Sequence, residues 1–228
     1  MEAARFDQVV SITATDAVIE GRLVLPAKAI GIVAFAHGSG SSRHSPRNNY
    51  VASVLHQAQI GTLLLDLLTP QEDEQYANRF DIALLTQRLL AALAWLKREK
   101  RSRSCRLGIF GASTGAAAAL EAAAVLGDAI SVVVSRGGRP DLASGHALHA
   151  VRAPTLLIVG ALDQQVLQLN RQAYAQLQCE KSLHIIPGAT HLFEEAGTLE
   201  QVAHSAADWL EKMFRHPPFP IEPRGDGA

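Results

Sequence analysis

Short apolar runs alternate with helical patterns along most of the chain. The first two, FDQVVSI and VIEGRLVLP, are interpreted as an opening antiparallel pair of strands. Six more runs follow: AIGIVAFAHG, IGTLLLDLL, RLGIFGAS, ISVVVSRGG, PTLLIVGALD and SLHIIPGATH. Several of them are almost continuously apolar, which is typical of strands covered on both faces of a parallel sheet.

Helical periodicity fills several of the intervals between these runs. Between residues 79 and 98 the apolar positions keep to one stripe, at Ile82, Leu85, Leu89, Leu93 and Leu96. The segment GAAAALEAAAVLG is apolar all round, which predicts a buried helix with Gly127 in the left-handed C-cap conformation. The last helix is expected to begin at Thr198, with Gln201 completing a capping box.

The alternation of strands and helices predicts a single α/β domain over residues 1–215. Its mostly parallel central sheet would carry helices on both faces. The proline-rich tail over residues 216–228, HPPFPIEPRGDGA, is expected to be extended or disordered.

Composition and charge exclude several classes of partner. The 228 residues include 21 basic and 22 acidic ones, so neither nucleic acid nor an anionic membrane is an expected partner. No run approaches the roughly 18 apolar residues of a membrane span, and the first residues do not resemble a secretory signal. Cys105 and Cys179 are interpreted as reduced thiols. Together these features predict a cytoplasmic protein.

The motif with the clearest chemistry is GASTG at residues 111–115. It follows an apolar strand and opens an alanine-rich helix, which is the setting of a nucleophile elbow. In such a turn the serine hydroxyl is lifted above the sheet edge, and small neighbours let the backbones pass closely. The motif therefore predicts Ser113 as a nucleophile, with a tight turn used only for packing as the alternative.

A nucleophilic serine needs a base and an acid that orients it. His191 follows the run SLHIIP in a loop, whereas His184 lies within that run and is assigned to the strand. Asp163 directly follows the run PTLLIVGA, at the strand end where such sites gather. The order serine, acid, histidine is the order of this elbow's fold. Asp141 is the alternative acid, and Asp66 is interpreted as structural.

The loop HGSGSS after the third strand predicts part of an oxyanion hole. Its small residues allow a backbone amide to approach a substrate, and Ser39 is the expected donor beside the amide of Thr114. A phosphate cradle is the alternative, but the loop lacks the third glycine of a dinucleotide fingerprint and the lysine of a P-loop.

Four arginines are candidates for binding an anionic part of the substrate. Arg43 and Arg47 lie in the predicted loop after HGSGSS, and Arg136 and Arg139 lie at another strand end. Guanidinium groups bind carboxylates and phosphates in a bidentate manner. The alternative is that these arginines pair with acids such as Glu194 and Glu195.

With HG loop, elbow, acid and histidine in this order, the sequence resembles the α/β-hydrolase superfamily over nearly its whole length. The phrases HGSGSSRHSPRN, VVSRGGRPDLA and PGATHLFEE are similar to small bacterial hydrolases of the dienelactone hydrolase-like branch, some of them fused to a phosphoribosyltransferase domain. The resemblance implies a covalent acyl-enzyme step, no cofactor, and the triad Ser113, Asp163 and His191. Dienelactone hydrolases carry a cysteine where this chain has Ser113, which favours ester over lactone chemistry.

The expected function is therefore cleavage of small carboxylic esters, with a small-molecule ester as partner. A lactonase or thioesterase would use the same residues. The alternative from another class is a non-catalytic fold that binds a small ligand. His146 and His149 have HxxH spacing without further ligands, so no metal site is expected. The short segment 136–153 predicts an open site without a large lid, and a monomer or weak homodimer is expected.

Overall fold

The computed structural model describes residues 6–216, and eight strands in this range form one sheet. They are β1 (Phe6–Thr13), β2 (Val18–Leu25), β3 (Gly31–Ala36), β4 (Ile60–Leu65), β5 (Leu107–Ala112), β6 (Ile130–Arg136), β7 (Thr155–Gly160) and β8 (Lys181–Ile186). Their order is β1-β2-β4-β3-β5-β6-β7-β8. The first two strands pair antiparallel with their neighbours, and the other pairs are parallel. The mostly parallel α/β sheet predicted from the apolar runs is confirmed.

Helices cover both faces of the sheet. They are α1 (Pro46–Gln57), α2 (Pro70–Asp73), α3 (Ile82–Arg98), α4 (Thr114–Leu126), α5 (Gly145–Ala150), α6 (Gln164–Gln176) and α7 (Thr198–Arg215). One core layer lies between the sheet and α3, α4 and α5, and the other lies between the sheet and α1 and α7. Within residues 6–216, no helix combines the length and the apolar character needed to cross a bilayer.

The connection between β6 and β7 bears directly on access to the site. It contains a short 3-10 helix, Pro140–Leu142, and the six-residue α5. This agrees with the sequence-based expectation that the segment is too short for a large lid, because neither helix exceeds six residues. Of the tail expected over residues 216–228, His216 alone belongs to the described residues.

Two helix starts differ from the sequence-based expectation. The loop predicted over residues 43–48 is shorter in the structure, since α1 begins at Pro46 and the Ser45 side chain accepts a hydrogen bond from the Asn48 amide. A proline at the first helical position needs no hydrogen-bond partner for its nitrogen, which suits it to start a helix. The helix predicted from residue 79 begins instead at Ile82, because Asp81 caps it through the Leu84 amide.

The capping box predicted at Thr198 is wrong. Gly197, with φ of 74°, occupies the N-cap position, and Thr198 is the first helical residue. The Thr198 hydroxyl donates to the Glu195 carbonyl instead of capping the helix. The positive φ expected at Gly127 is observed at 51°, although its ψ of −125° lies outside the left-handed helical region.

Glycines at the start of two neighbouring strands make a slot for the last helix. A Cβ on Gly31 of β3 would lie 2.7 Å from the ring of Phe214, and a Cβ on Gly108 of β5 would lie 3.1 Å from it. The ring is buried, with 3% of the residue exposed. Because α7 follows the turn that carries His191, this contact fixes the far end of the segment that supplies the candidate base.

We expect Phe214→Ala to lower the free energy of unfolding by about 3–5 kcal/mol. The substitution leaves a cavity between α7 and the strands β3 and β5, and the rigid sheet cannot close it. Phe80→Ala makes the same chemical change at a residue that is 42% exposed, and it should cost about 1 kcal/mol or less. Urea denaturation of both variants measures the difference. Equal losses would show that the slot does not hold α7.

Candidate active site

Ser113 occupies a sharp turn between β5 and α4. Its φ of 51° and ψ of −121° are rare for a residue with a side chain, and such a conformation costs about 1–3 kcal/mol. Its backbone is held by three hydrogen bonds. The Ser113 amide donates to the Arg136 carbonyl at 3.2 Å, and the Ser113 carbonyl accepts from the Ala116 and Arg139 amides at 3.1 and 3.0 Å. The strained geometry is thus imposed by two strand ends and the first turn of α4.

Three glycines near Ser113 have no room for a Cβ atom. A Cβ on Gly115 would overlap the carbonyl oxygen of Ala36, and a Cβ on Gly111 would overlap the backbone of α4. A Cβ on Gly38 would lie 2.9 Å from Cβ of Ser113. Hydrogen in place of a methyl group therefore lets β3, β5 and α4 meet at one point.

The candidate acid and base are joined by a short hydrogen bond. Nδ1 of His191, in the turn after β8, lies 2.6 Å from Oδ2 of Asp163, which follows β7. The carboxylate is mostly buried and the ring is about one third exposed. Because Nδ1 donates to the carboxylate, Nε2 is left as the proton acceptor of the neutral ring.

Gly137 lies between the candidate base His191 and the turn of Ser113. It follows Arg136, whose carbonyl holds the Ser113 amide, and a Cβ on it would lie 3.6 Å from Cε1 of His191. The candidate nucleophile and the candidate base thus contact consecutive residues, Arg136 and Gly137, at the end of β6. None of the hydrogen bonds among residues 6–216 joins Oγ of Ser113 to the ring directly, and in enzymes this contact commonly tightens when substrate binds.

The loop after β3 contacts the elbow through a side chain. The amide of Ser39 donates to Oγ1 of Thr114 at 2.9 Å. Thr114 is the first residue of α4, and amides in the first turn of a helix have no intrahelical acceptor. The two expected oxyanion donors are therefore adjacent, with the Thr114 hydroxyl between the loop and the helix.

His37 fixes the start of the same loop. Its Nδ1 donates to the Gly38 carbonyl at 2.9 Å, and its Nε2 accepts from the Leu67 amide at 3.0 Å. This arrangement requires the neutral ring with its proton on Nδ1. Burial lowers the pKa of His37 below its ordinary value of 6.5, and this effect exceeds the opposing influence of the Gly38 carbonyl, Asp66 and Asp73.

The arginines after the HG loop are held by carboxylates. Arg43 bonds to Asp66 through its amide and its guanidinium, and it also pairs with Glu20 at 2.6 Å. Asp66 therefore has the structural role expected of it. Arg47 pairs with Glu194 at 3.1 Å, one of the two acids named as alternatives for it.

Other candidates from the sequence also lie within the described residues. Asp141, the alternative acid, pairs with Arg139 at 2.7 Å in place of a histidine. His146 and His149 lie in α5, not in a loop, and Nδ1 of His149 bonds to the carbonyl of Gly145. Residues 6–216 contain no group of three or more potential metal ligands.

Arg136 differs from the other arginines at this edge. It is 9% exposed, and its Nη1 is buried without a hydrogen-bond partner. Its guanidinium carbon lies 5.9 Å from the ring centroid of Phe110. Burial, and to a lesser extent the charge of Arg47, lowers the pKa of Arg136 to about 10.

One residue of the site gives no signal in the sequence. Phe193 has φ of 54°, is 2% exposed, and lies in the turn just after His191. A Cβ on Gly137 would lie 3.5 Å from its ring. A buried aromatic residue in a left-handed turn depends on tertiary packing, so no local pattern could have marked it.

Comparison with solved structures first defines the class of protein. Est1E from Butyrivibrio proteoclasticus has a TM-score of 0.77 at 15% identity, over 91% of this chain and 99% of that one. An esterase from Pyrococcus furiosus has a TM-score of 0.74 at 18% identity, over 92% and 93%. At these identities the likeness shows the α/β-hydrolase fold.

Closer relatives define the family. A model of the dienelactone hydrolase family matches residues 50–216. A dienelactone hydrolase from Anabaena variabilis is 51% identical with a TM-score of 0.88, over 92% of this chain and 98% of that one. The chain belongs to the dienelactone hydrolase family.

A relative with a different name covers much the same part of the chain. A Mycobacterium tuberculosis protein named as a putative phosphoribosyl transferase is 56% identical over 204 residues. Those residues are 90% of this chain and 46% of the relative. This chain thus spans less than half of that relative's length.

The lowered pKa of His37 predicts a pH dependence of stability. The folded state holds this proton less tightly than the unfolded state, so stability is fully present above pH 6.5 and is lost as the pH falls below it. We expect His37→Asn to reduce the loss of unfolding free energy between pH 7.5 and pH 5, as measured by urea denaturation at each pH. His204→Asn, at an exposed helical position, is the matched control and should retain the wild-type slope. Identical slopes for all three proteins would contradict the prediction.

Proposed function

We propose that the protein is a serine hydrolase that cleaves small carboxylic esters through an acyl-enzyme. The observation that carries the proposal is the 2.6 Å bond between His191 and Asp163 at the sheet edge that also holds the strained turn of Ser113. A turn with φ of 51° at a serine is hard to explain by packing alone, because glycine would fit it without strain.

In the proposed reaction, Oγ of Ser113 attacks the ester carbonyl carbon while its proton moves to Nε2 of His191. The Asp163 carboxylate holds the ring in the required tautomer and stabilises the imidazolium. The carbon–oxygen bond to the alcohol then breaks, and the alcohol leaves with the proton from His191. Water attacks the acyl-enzyme with His191 again as base, which releases the carboxylic acid and restores Ser113.

The tetrahedral oxyanion would be held by the amides of Thr114 and Ser39. The helix start at Thr114 supplies a free amide and the positive end of the α4 dipole. The Ser39 amide already donates to the Thr114 hydroxyl, so it is aimed at the elbow before substrate arrives. An oxyanion would share this donor with the hydroxyl, and the donor needs no large movement to reach it.

Two names among the relatives point to different chemistry. The family match and the Anabaena relative favour hydrolysis, and the matched region contains the proposed nucleophile, acid and base. The transferase name belongs to a protein of which this chain spans 46%, so we assign the hydrolase activity to this chain. The short segment between β6 and β7 favours small esters approaching an open edge, and lactones or thioesters would use the same residues.

The first test compares the hydrolysis of p-nitrophenyl esters, from acetate to octanoate, by wild type and Ser113→Ala. We expect kcat/KM to fall about 10³-fold or more, because the acyl acceptor is removed. Asp163→Asn should cost about 10²- to 10⁴-fold, because the ring loses the acceptor that fixes its tautomer. Circular dichroism shows whether each variant remains folded.

Ser53→Ala is the matched control, since it makes the same change at an exposed residue of α1. It should keep the wild-type rate. A fluorophosphonate should label the wild type and Ser53→Ala but not Ser113→Ala. Absence of labelling together with equal background hydrolysis in all three proteins would favour a fold that only binds a ligand.

A second test addresses the contact between Thr114 and Ser39. Thr114→Val keeps the shape of the side chain but removes the acceptor of the Ser39 amide, so we expect kcat to fall about tenfold with little change in KM. Thr114→Ser keeps the hydroxyl and should remain close to wild type. A Thr114→Val rate equal to or above wild type would exclude a role for this hydrogen bond in positioning the oxyanion loop.

A further inference from the structure

The segment 137–139, which follows β6, lies between the candidate nucleophile and the candidate base. At its start, a Cβ on Gly137 would lie 3.6 Å from Cε1 of His191. At its end, the Arg139 amide donates to the Ser113 carbonyl at 3.0 Å. A displacement of this segment would therefore move the nucleophile turn relative to the base.

Asn170 of α6 holds the middle of this segment. Its Nδ2 donates to the Gly138 carbonyl at 2.9 Å, and to the Val166 carbonyl one turn earlier in α6 at 2.8 Å. Among residues 6–216, no other side chain hydrogen-bonds to the backbone of the segment 137–139. Both N–H groups of the amide are thus used, one to fix its own orientation and one to hold the segment.

The helix that carries Asn170 also carries the candidate acid. Asp163 is the N-cap residue of α6, and Asn170 lies about two turns further along the helix. Residues two turns apart lie on the same face of a helix. Through α6, the carboxylate that bonds to His191 at 2.6 Å is therefore linked to the amide that holds the nucleophile turn.

Space filling alone does not explain an asparagine at this position. The residue is fully buried, and its Oδ1 is buried without a hydrogen-bond partner. A buried polar atom without a partner destabilises a fold. Leucine has the same number of side-chain heavy atoms and would avoid this cost, but it would leave the Gly138 carbonyl without its donor. The donor is thus the property that distinguishes asparagine here.

The packing around Gly138 transmits a movement of the segment to the nucleophile turn. A Cβ on Gly138 would overlap Oγ of Ser135 and lie 2.6 Å from Cβ of Ala116 in α4. The Ala116 amide donates to the Ser113 carbonyl at 3.1 Å. A shift of Gly138 would therefore disturb both donors to that carbonyl, the amides of Arg139 and Ala116.

We propose that Asn170 is a positioning residue that fixes the nucleophile turn relative to the acid and the base. Because it is fully buried, it acts through the Gly138 carbonyl and not through the substrate. The inference rests on the proposed function, since it takes Ser113 as the nucleophile and His191 as its base. Catalytic groups must be held within about 0.5 Å of the productive geometry by hydrogen bonds from the surrounding structure. Loss of this bond should therefore lower kcat and leave KM nearly unchanged.

Asn170→Leu tests the proposal, because it keeps a branched side chain and removes the donor to Gly138. We expect kcat for p-nitrophenyl acetate to fall about 10- to 100-fold, with KM within about threefold of wild type. The bond between Asp163 and His191 does not involve the lost donor, so the pH at which kcat/KM is half-maximal should stay at the wild-type value. Asn170→Ala removes the same donor without adding bulk, and it should change kcat in the same direction.

Leu167→Ala is the matched control, because Leu167 is a buried residue of the same helix whose side chain makes no hydrogen bond to the segment 137–139. It creates a cavity, so it should lower the Tm at least as much as Asn170→Leu does. Its kcat should nevertheless stay within about threefold of wild type. An equal fall in kcat in Leu167→Ala and Asn170→Leu would overturn the proposal, because loosening of α6 alone would then explain both.

Amide hydrogen exchange gives a readout that does not depend on activity. In Asn170→Leu, exchange over residues 111–116 and 136–142 should be roughly fivefold faster than in wild type, because one hydrogen bond that opposes local opening is lost. In Leu167→Ala, exchange over the same two stretches should match wild type.

The outcomes separate this proposal from the proposed activity. If hydrolysis depends on Ser113 and Asn170→Leu keeps the wild-type kcat, the positioning role is refuted and the hydrolase stands. If no Ser113-dependent hydrolysis is found but exchange is faster only in Asn170→Leu, the hold of Asn170 on the nucleophile turn stands and the ester hydrolase is refuted. If exchange in Asn170→Leu matches that in Leu167→Ala, the hold itself is refuted.

Discussion

The site depends on one steric constraint, the close passage of the first turn of α4 across the ends of β3 and β5. Gly115 has no room for a Cβ beside the Ala36 carbonyl, and Gly111 has none beside α4. This proximity forces the chain to reverse within a single residue, which is why Ser113 has a positive φ. The same proximity sets the Thr114 hydroxyl against the Ser39 amide. The positions of the proposed nucleophile and the proposed oxyanion loop thus follow from the same packing contact.

Much of this arrangement follows from local sequence. The GASTG motif between an apolar strand and an alanine-rich helix predicts the elbow, and Asp163 and His191 could be chosen as candidates because each lies in the segment after a strand of the parallel sheet. What the sequence could not supply is the pairing of side chains far apart along the chain. Arg43 finds Asp66 and Glu20 only after β2 and β4 have become neighbours. Local patterns gave the start of α7 correctly at Thr198 but not its cap, because Gly197 is the N-cap and the Thr198 hydroxyl donates to the Glu195 carbonyl.

The arginines near the candidate site differ in whether a carboxylate pairs with them. Arg43 and Arg47 have carboxylate partners, which allows a guanidinium to be partly buried without a large penalty. Arg136 lacks such a partner and stands beside the nucleophile. A protein selected for stability alone would replace such a group with an apolar side chain, whereas functional sites commonly keep interactions that destabilise the empty fold. A strained backbone at Ser113 and a buried guanidinium nitrogen without a partner at Arg136 therefore occur at the ends of two neighbouring strands.

The slot for Phe214 has a consequence for the layout of the domain. The ring lies against the first residues of β3 and β5, so α7 ends at the edge of the sheet opposite Ser113. Phe6 lies at the same edge, since it pairs with Leu25 at the end of β2, which runs antiparallel to β4. Phe6 and the end of α7 therefore lie at one edge of the sheet and the candidate active site lies at the other, so the length of the strands separates the ends of the described domain from that site.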